Sequence, residues 1–547
     1  MKLKKIKLLS KFRGLPKGYQ IEFNTENTSE RKIEPICFVG LNGSGKSNIL
    51  ELIAEIFYYL EIYSRINKKS NELAYPFGFH IEYFLPRIIH DENSFPSGRI
   101  GNLSIENLNG HRLVQIIKKP NELPTGKVLI DDNIVEFSHE KTVDFFSMVL
   151  PKSIIGYTSG LNELLSNPFI KMDLEYSDEL KRKANEAARA TLDLNRLFFL
   201  NYNSSKIFAI SNFIFDDTNL APLKDELDIK DLLSFSIHLK LEKEKHKKDY
   251  LPSELNQAIY SFQELDPLFS EKESSTTKVD RLEYTFNFQV DGEKKQAFQF
   301  KFQTKFNLLR ILYNFQMLNI QLIGSKTKRN IRNARAGTRD NLSDIIPKKE
   351  KEKLIFSVDS ILFEKENGNK VYLKQLSDGE HQLMQIIGSL ILLDQQSTLF
   401  LFDEPTTHFN PEWRSKFIYL IDKSLEGHLK RKQEILLTTH SPFIISDSKR
   451  VNVVRTFNRN GRNYEFPEEE TYGASIRFLL NRLFNQKHSI GEFSFQELKK
   501  LELEIDSLEN EEQAEDIKAK SQGFGDSPEK IKLFNKLANK LNTISKE

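Results

Sequence analysis

Cysteine is almost missing from this sequence: Cys37 is the only one in 547 residues. No internal disulfide framework can therefore hold the chain together, and a reducing, cytoplasmic setting is expected. Long apolar runs are missing too, since the hydrophobic stretches are too short or too interrupted to span a bilayer. The start Met1-Lys2-Leu3-Lys4-Lys5-Ile6 lacks the apolar stretch of a secretory signal, so no membrane partner is expected. Neither sign of charge dominates. The 79 Lys and Arg stand against 77 Asp and Glu, a formal net charge of +2, which by itself gives no argument for nucleic acid. No internal repeat is visible, and no apolar heptad persists beyond a few turns, which excludes long coiled-coil arms. What is left, 39% hydrophobic and 29% charged residues, is the composition of an ordinary globular protein. It is long enough for roughly two to four structural units.

The near-neutral balance hides local asymmetry. Lys326, Lys328, Arg329, Arg332, Arg335 and Arg339 occur with no acid between them, whereas residues 497–516 are acidic by comparison. A solvated loop and a nucleic-acid contact both fit the basic stretch; a solvated face and a protein-docking surface both fit the acidic one.

The run Gly40-Leu41-Asn42-Gly43-Ser44-Gly45-Lys46-Ser47 matches G-x-x-x-x-G-K-[ST]. Its setting supports the match: Ile36 to Val39 reads as a buried strand, and Ile49, Leu50, Leu52, Ile53, Ile56 and Phe57 follow with helical spacing. Glycines allow backbone N–H groups to converge on phosphate oxygens at a helix N-terminus. Asn42, Gly43, Ser44 and Gly45 would form the cradle, Lys46 would bridge the β- and γ-phosphates, and Ser47 would ligate magnesium. ATP and Mg2+ are the ligands this implies. Cys37, in the strand just before the loop, reads as a small core side chain rather than a nucleophile.

Three further segments carry chemistry. Asp403 ends the apolar run Leu399-Phe400-Leu401-Phe402, where a buried carboxylate is costly unless it holds an ion or accepts strong hydrogen bonds. It is placed to hold magnesium through water, and Glu404 to polarise the attacking water as general base; the alternative is a plain strand end. Leu376-Ser377-Asp378-Gly379-Glu380 precedes a helix, and Ser377 with Glu380 makes a capping box. The same serine hydroxyl and the Gly379 N–H suit a γ-phosphate grip that would fall on a second subunit's nucleotide. His440, after the strand Ile435 to Leu437, can reach the γ-phosphate or the attacking water, though a lone histidine after a strand is commonly structural.

Along the chain, 3–10 and 18–24 read as strands, 76–138 as strand-rich, and 153–160 as a strand ending at a glycine turn. Residues 177–270 read as mostly helical, 280–300 as strands, and 303–321 as a helix. Strand signals return at 354–363 and 370–373. A helix over 380–393 precedes strands at 399–402, 435–437 and 451–454, and helices fill 472–547.

Together these segments resemble the ABC-type ATPase heads of the SMC, Rad50 and RecF-like group. The resemblance rests on Ser10-Lys11-Phe12-Arg13-Gly14-Leu15 with Phe38 to Asn48, and on Leu376 to Glu380, Phe402 to Thr407 and Thr438 to Asp447. It implies an α/β head with a mixed central sheet. The expected division is 1–170 and 346–460 as two half-lobes, 171–345 as a mixed, mostly helical insertion, and 461–547 as a helical extension. It also implies that Arg13 touches the phosphates, that Ser377 and Gly379 act in trans, and that His440 is a switch. Two heads would sandwich two ATPs in a homodimer or a higher oligomer built from it. Phe409-Asn410-Pro411 departs from the usual leucine and acidic or histidine residue before proline. Gln115 is the candidate for the Q-loop glutamine.

More narrowly, the length, Tyr157 to Glu163 and the missing coiled coil resemble the Septu antiphage ATPases (the PtuA family), including retron-associated versions. That likeness implies a partner nuclease of HNH type, and for a retron a reverse transcriptase with its msDNA holding the complex inactive. After residue 455 no Asp-x-Asp cluster follows a strand, so no intrinsic nuclease is expected. The alternative is a DNA-repair or recombination ATPase that contacts DNA directly through the basic stretch.

Overall fold

The computed structural model describes the chain except residues 26–32, 66–74, 86–111, 131–132, 138–148, 161–163, 186–191, 193, 245–250, 276–278, 339, 394–396, 426–432, 460–461 and 545–547. At its centre is a seven-stranded sheet. Four of its strands carry the site: β1 (Ile36–Val39), β2 (Ser153–Thr158), β3 (Thr398–Asp403) and β4 (Glu434–Thr438). The spatial order is Arg462–Glu465, Val453–Arg459, β1, β4, β3, β2, Leu197–Phe199, parallel throughout except for the antiparallel edge strand Arg462–Glu465. Strands this apolar are buried on both faces. Cys37, Val39, Phe400, Phe402, Ile435 and Leu437 enter one hydrophobic core, and Ile36, Phe38, Leu399, Leu401 and Leu436 enter the other. This period-two division is what a strand pleat dictates.

The second core lies between the central sheet, the helix α1 (Lys46–Arg65) and a six-stranded antiparallel sheet of residues 2–137. Gln115, the candidate Q-loop glutamine, sits in that outer sheet, opposite Glu82 and Lys127, and is not among the residues that line the cavity at the glycine loop. The first core lies under the insertion and is lined by the helices Tyr202–Phe215, Lys305–Leu318 and Asp378–Leu392.

The helix α2 (Asn167–Asn185) packs on α1, and α3 (Ser325–Asn333) packs on α2. Next in the chain come α4 (Asp378–Leu392) and α5 (Pro411–Ser424), which flank β3. The third, smaller core belongs to the C-terminal helices and includes Leu498, Leu501, Ile505, Ile517, Leu533 and Leu537. The architecture is mixed α/β with a helix-rich insertion and a C-terminal helical region.

Two readings need correction. The stretch 177–270, read as mostly helical, contains the sixteen-residue strand Ile229–Glu244. Phe235, Ile237, Leu239 and Leu241 alternate into the core, but adjacent Leu232 and Leu233 blur the period at its start. This strand pairs with Val279–Gln289 on one side and Phe356–Lys365 on the other. A sheet therefore crosses the boundary expected between 345 and 346. Within 280–300 the strand stops at Gln289, and Gly292–Phe302 is helical because Asp291 caps it by accepting from Lys294 N–H.

Candidate functional site

Parallel strands end in register at one edge of the central sheet, and the loops beyond their C-termini bring the chemistry together. β1 runs into the glycine loop, and the loop runs into α1. Gly40 has φ +145°, and a Cβ there would lie 2.3 Å from the Thr456 carbonyl oxygen. Only glycine fits that approach. The Ser44 hydroxyl meets that of Thr456 at 2.7 Å, which ties the loop to the neighbouring strand.

Lys46 is the first residue of α1, and its Nζ turns back to donate to Gly40 O at 3.0 Å and Leu41 O at 3.4 Å. It also donates to His440 Nε2 at 2.9 Å. An ammonium cannot accept, so this imidazole is neutral with its proton elsewhere. Burial and the neighbouring Lys46 charge both hold His440 below the usual imidazole range. Burial also lowers Lys46, against the pull of Glu404 and Asp403.

Asp403, at the end of β3, is ringed by hydroxyls. Its Oδ1 accepts from Ser47 Oγ at 2.9 Å and from Thr438 Oγ1 at 2.6 Å, and its Oδ2 from Thr158 Oγ1 at 3.5 Å. Glu404 follows with φ +51°, a left-handed conformation that costs a non-glycine residue about 1–2 kcal/mol. Its N–H donates to Thr438 Oγ1 at 2.9 Å, and its Oε2 accepts from His440 N–H at 3.2 Å. Its Oε1 is buried without a hydrogen-bond partner, 3.5 Å from His440 Nε2. Burial pushes the carboxyl up to about 7, with Lys46 drawing it down and Asp403 raising it.

A cavity of about 610 Å³ joins these groups, lined by the loop, Lys46, Ser47, Glu404, Thr406, Thr407, Arg414, His440 and Ser441. Arg414, on α5, holds its far wall by donating to the carbonyls of Thr406 and Thr407 at 3.3 and 3.0 Å. The Ser441 hydroxyl is buried without a partner.

This donor set fits a phosphate ester and a hard divalent cation. Converging loop amides and an ammonium suit phosphate, and Ser47 with Asp403 offers oxygen ligands side by side. Among the described residues no group of three His, Cys, Asp or Glu could hold a metal ion unaided. A cation here would take further oxygens from the bound phosphates or water.

Of the residues singled out in the sequence, Asn42, Gly43, Gly45, Lys46, Ser47, Glu404 and His440 line one cavity, Asp403 lies directly behind it, and Ser44 is tied to Thr456. Arg13 does not join them. Its guanidinium is paired with Glu51 on α1, with Nη2 donating to Oε1 at 2.6 Å. Ser377 and Gly379 lie outside the cavity too. Ser377 is exposed and caps α4, accepting from Glu380 N–H while Glu380 returns the bond to the Ser377 N–H. Thr158, Thr438, Arg414 and Ser441 were not assigned roles from sequence. Thr438 and Ser441 flank His440 and Thr158 ends a strand, but nothing in the sequence marks Arg414.

A family model described as "AAA domain, putative AbiEii toxin, Type IV TA system" matches residues 247–446. That stretch contains Ser377, Asp403, Glu404 and His440 and leaves out the glycine loop. Protein ea59 of Escherichia phage lambda is 26% identical over 114 residues, which is 21% of this chain and 21% of that protein. The match thus spans about a fifth of that relative. Among solved structures, the SMC head domain from Thermotoga maritima is 11% identical, covering 86% of this chain and 100% of that one at a TM-score of 0.30. The Smc head domain with a coiled coil and joint from Pyrococcus yayanosii is also 11% identical, covering 85% and 97% at the same score. No helix among the described residues is long and apolar enough to cross a membrane.

Proposed function

We propose that this chain binds Mg-ATP in the glycine-loop cavity and hydrolyses it. The carrying observation is the convergence of Lys46, Ser47, Glu404 and His440, contributed by α1 and the ends of β3 and β4, on one pocket, with Asp403 directly behind it. The loop amides and Lys46 would hold the phosphates, and Lys46 would leave His440 for the γ-phosphate. Magnesium, held by Ser47 and by Asp403 through water, would neutralise phosphate charge. Glu404 is the general base: its Oε1 faces no competing donor, and its strained backbone aims it from the strand end. His440 orients the attacking water or the γ-phosphate.

Lys46→Ala should weaken ATP binding by on the order of a hundredfold, the cost of removing a charge-assisted contact. Glu404→Gln should bind ATP as the wild type does while turnover falls about 10²–10⁴-fold. Fluorescent-nucleotide titration and phosphate release check both; an unaltered rate in Glu404→Gln would remove it as the base.

The exposed Ser377 at the tip of α4 supports a shared site, in which each copy's helix tip closes over its partner's triphosphate. At the level of the pathway, the reading adopted is an SMC- or RecF-like ATPase that acts on DNA. The basic helix α3 supports it, with Lys326 and Arg329 exposed and Arg335 exposed just beyond. The type IV toxin system in the matched family's description motivates a second reading, an ATPase controlling a toxic or nucleolytic partner in antiphage defence. The Septu nuclease, reverse transcriptase and msDNA implied by the sequence have no counterpart among the relatives named above.

A further inference from the structure

Gln382 lies one turn into α4, is 2% exposed, and spends both ends of its amide on groups beside the hydrolytic centre. Its Oε1 accepts from the His408 N–H at 3.1 Å, and its Nε2 donates to the Tyr157 hydroxyl at 2.9 Å. The backbone donor at His408 fixes the amide's orientation, because only the oxygen can face an N–H. Tyr157 immediately precedes Thr158, whose hydroxyl reaches Asp403. His408 closes the turn that begins at Glu404, within which the Thr407 hydroxyl donates to the Glu404 carbonyl at 3.0 Å and meets the Ser159 hydroxyl at 2.8 Å. Gly379 presses the same turn from the side. A Cβ there would lie 2.9 Å from the His408 carbonyl oxygen and 3.4 Å from the ring of Trp413. The helix whose tip carries Ser377 is thereby latched to the turn that carries Glu404 by one partly buried hydrogen bond and one backbone contact that only glycine permits, and to the end of β2 by one buried hydrogen bond.

We propose that Gln382 is a positioning residue that makes α4, the end of β2 and the Glu404–His408 turn move as one body, so that occupancy at the Ser377 tip sets the geometry of Glu404 in the same chain. This rests on the ATPase reading above and adds to it a route by which one site of a pair governs the other. The network has few arrangements available, because Gln382 and Tyr157 are both buried and breaking the bond between them leaves an amide and a hydroxyl unpaired in the core. Trp413, the only tryptophan in the sequence, stands at the junction and reports on it.

The test compares wild type, Gln382→Met, Gln382→Glu and Tyr157→Phe in steady-state ATP hydrolysis, in tryptophan emission with and without Mg-ATP, and in thermal melting. Methionine keeps the volume and removes both bonds. Glutamate keeps the acceptor for His408 and lets Tyr157 donate. The expected result is a kcat between about tenfold and a hundredfold lower in Gln382→Met with KM within about twofold, as for small misplacements of a reacting group. The ATP-dependent emission change should disappear, and Gln382→Glu should recover part of kcat. Tyr157→Phe should fall between. Wild-type kcat in a folded Gln382→Met overturns the inference, as does a parallel loss of melting temperature, kcat and emission in all three variants, which would mean packing alone. A wild type that binds no ATP overturns the proposed function and this inference together; a wild type that hydrolyses ATP beside an unaltered Gln382→Met overturns this inference only.

Discussion

Lys46, Glu404 and His440 share one set of contacts, so the protonation of each bears on the others. Glu404 sits at about 7 because burial outweighs the pull of Lys46. A base must be ionised to act, so kcat/KM for ATP should fall as pH drops below about 7, with a slope approaching one log unit per pH unit. A profile flat from pH 6 to 8 would remove Glu404 from that role. Glu434 gives a matching prediction for stability. It is buried at the start of β4, with Oε2 accepting from Leu3 N–H at 2.7 Å and Oε1 without a partner, and burial pushes it up to about 7. The folded value lies above the unfolded one, so the folded state binds more protons between pH 4.5 and 7 and stability falls as pH rises through that window. Glu434→Gln keeps the acceptor and removes the charge. Its melting temperature should exceed that of wild type at pH 8, by the equivalent of on the order of 3 kcal/mol, and match it near pH 4.5. Equal melting curves at both would contradict this.

At the scale of elements, α3 turns the basic stretch from a line of charges into a surface. Ile331 anchors the helix against Leu174, Ile323 and Leu342, and Arg332 is occupied by Glu175 at 3.0 Å and by Asp178. Arg339 lies outside the described residues. The charges to test are therefore Lys326, Arg329 and Arg335. Reversing all three should lower DNA affinity and flatten its dependence on salt by about two to three in log–log slope, whereas reversing Arg332 would also unseat the helix from α2. Unchanged DNA binding would turn the choice toward the partner-controlled reading. The glycine loop, the apolar run ending at Asp403 and the cap at Ser377 were legible in the sequence because each is local, set by neighbours within a turn or a strand. The pairing of Arg13 with Glu51, 38 positions away, is one that no local window of sequence displays. Arg414, Thr158 and Gln382 left no local signature, since their roles come from strands and turns joined only by the fold. Likewise 229–244 is a strand because two distant strands pair with it, which no window of sequence displays.

For the whole molecule, a division at 345/346 follows the order of motifs rather than the packing. The first core runs without a break from the insertion to β3 and β4, while the C-terminal helices keep a small core of their own. The insertion and the strands that carry the site therefore share one packed core. The larger claim is that two such bodies share their nucleotides. Ser377→Asp retains a helix cap while setting a carboxylate against the partner's triphosphate, so it should leave ATP binding within about threefold and abolish ATP-dependent pairing. The most direct measurement is the mass and nucleotide content of the Glu404→Gln variant isolated with Mg-ATP. Two chains holding two unhydrolysed ATP molecules are predicted; a single chain carrying no nucleotide would contradict the account.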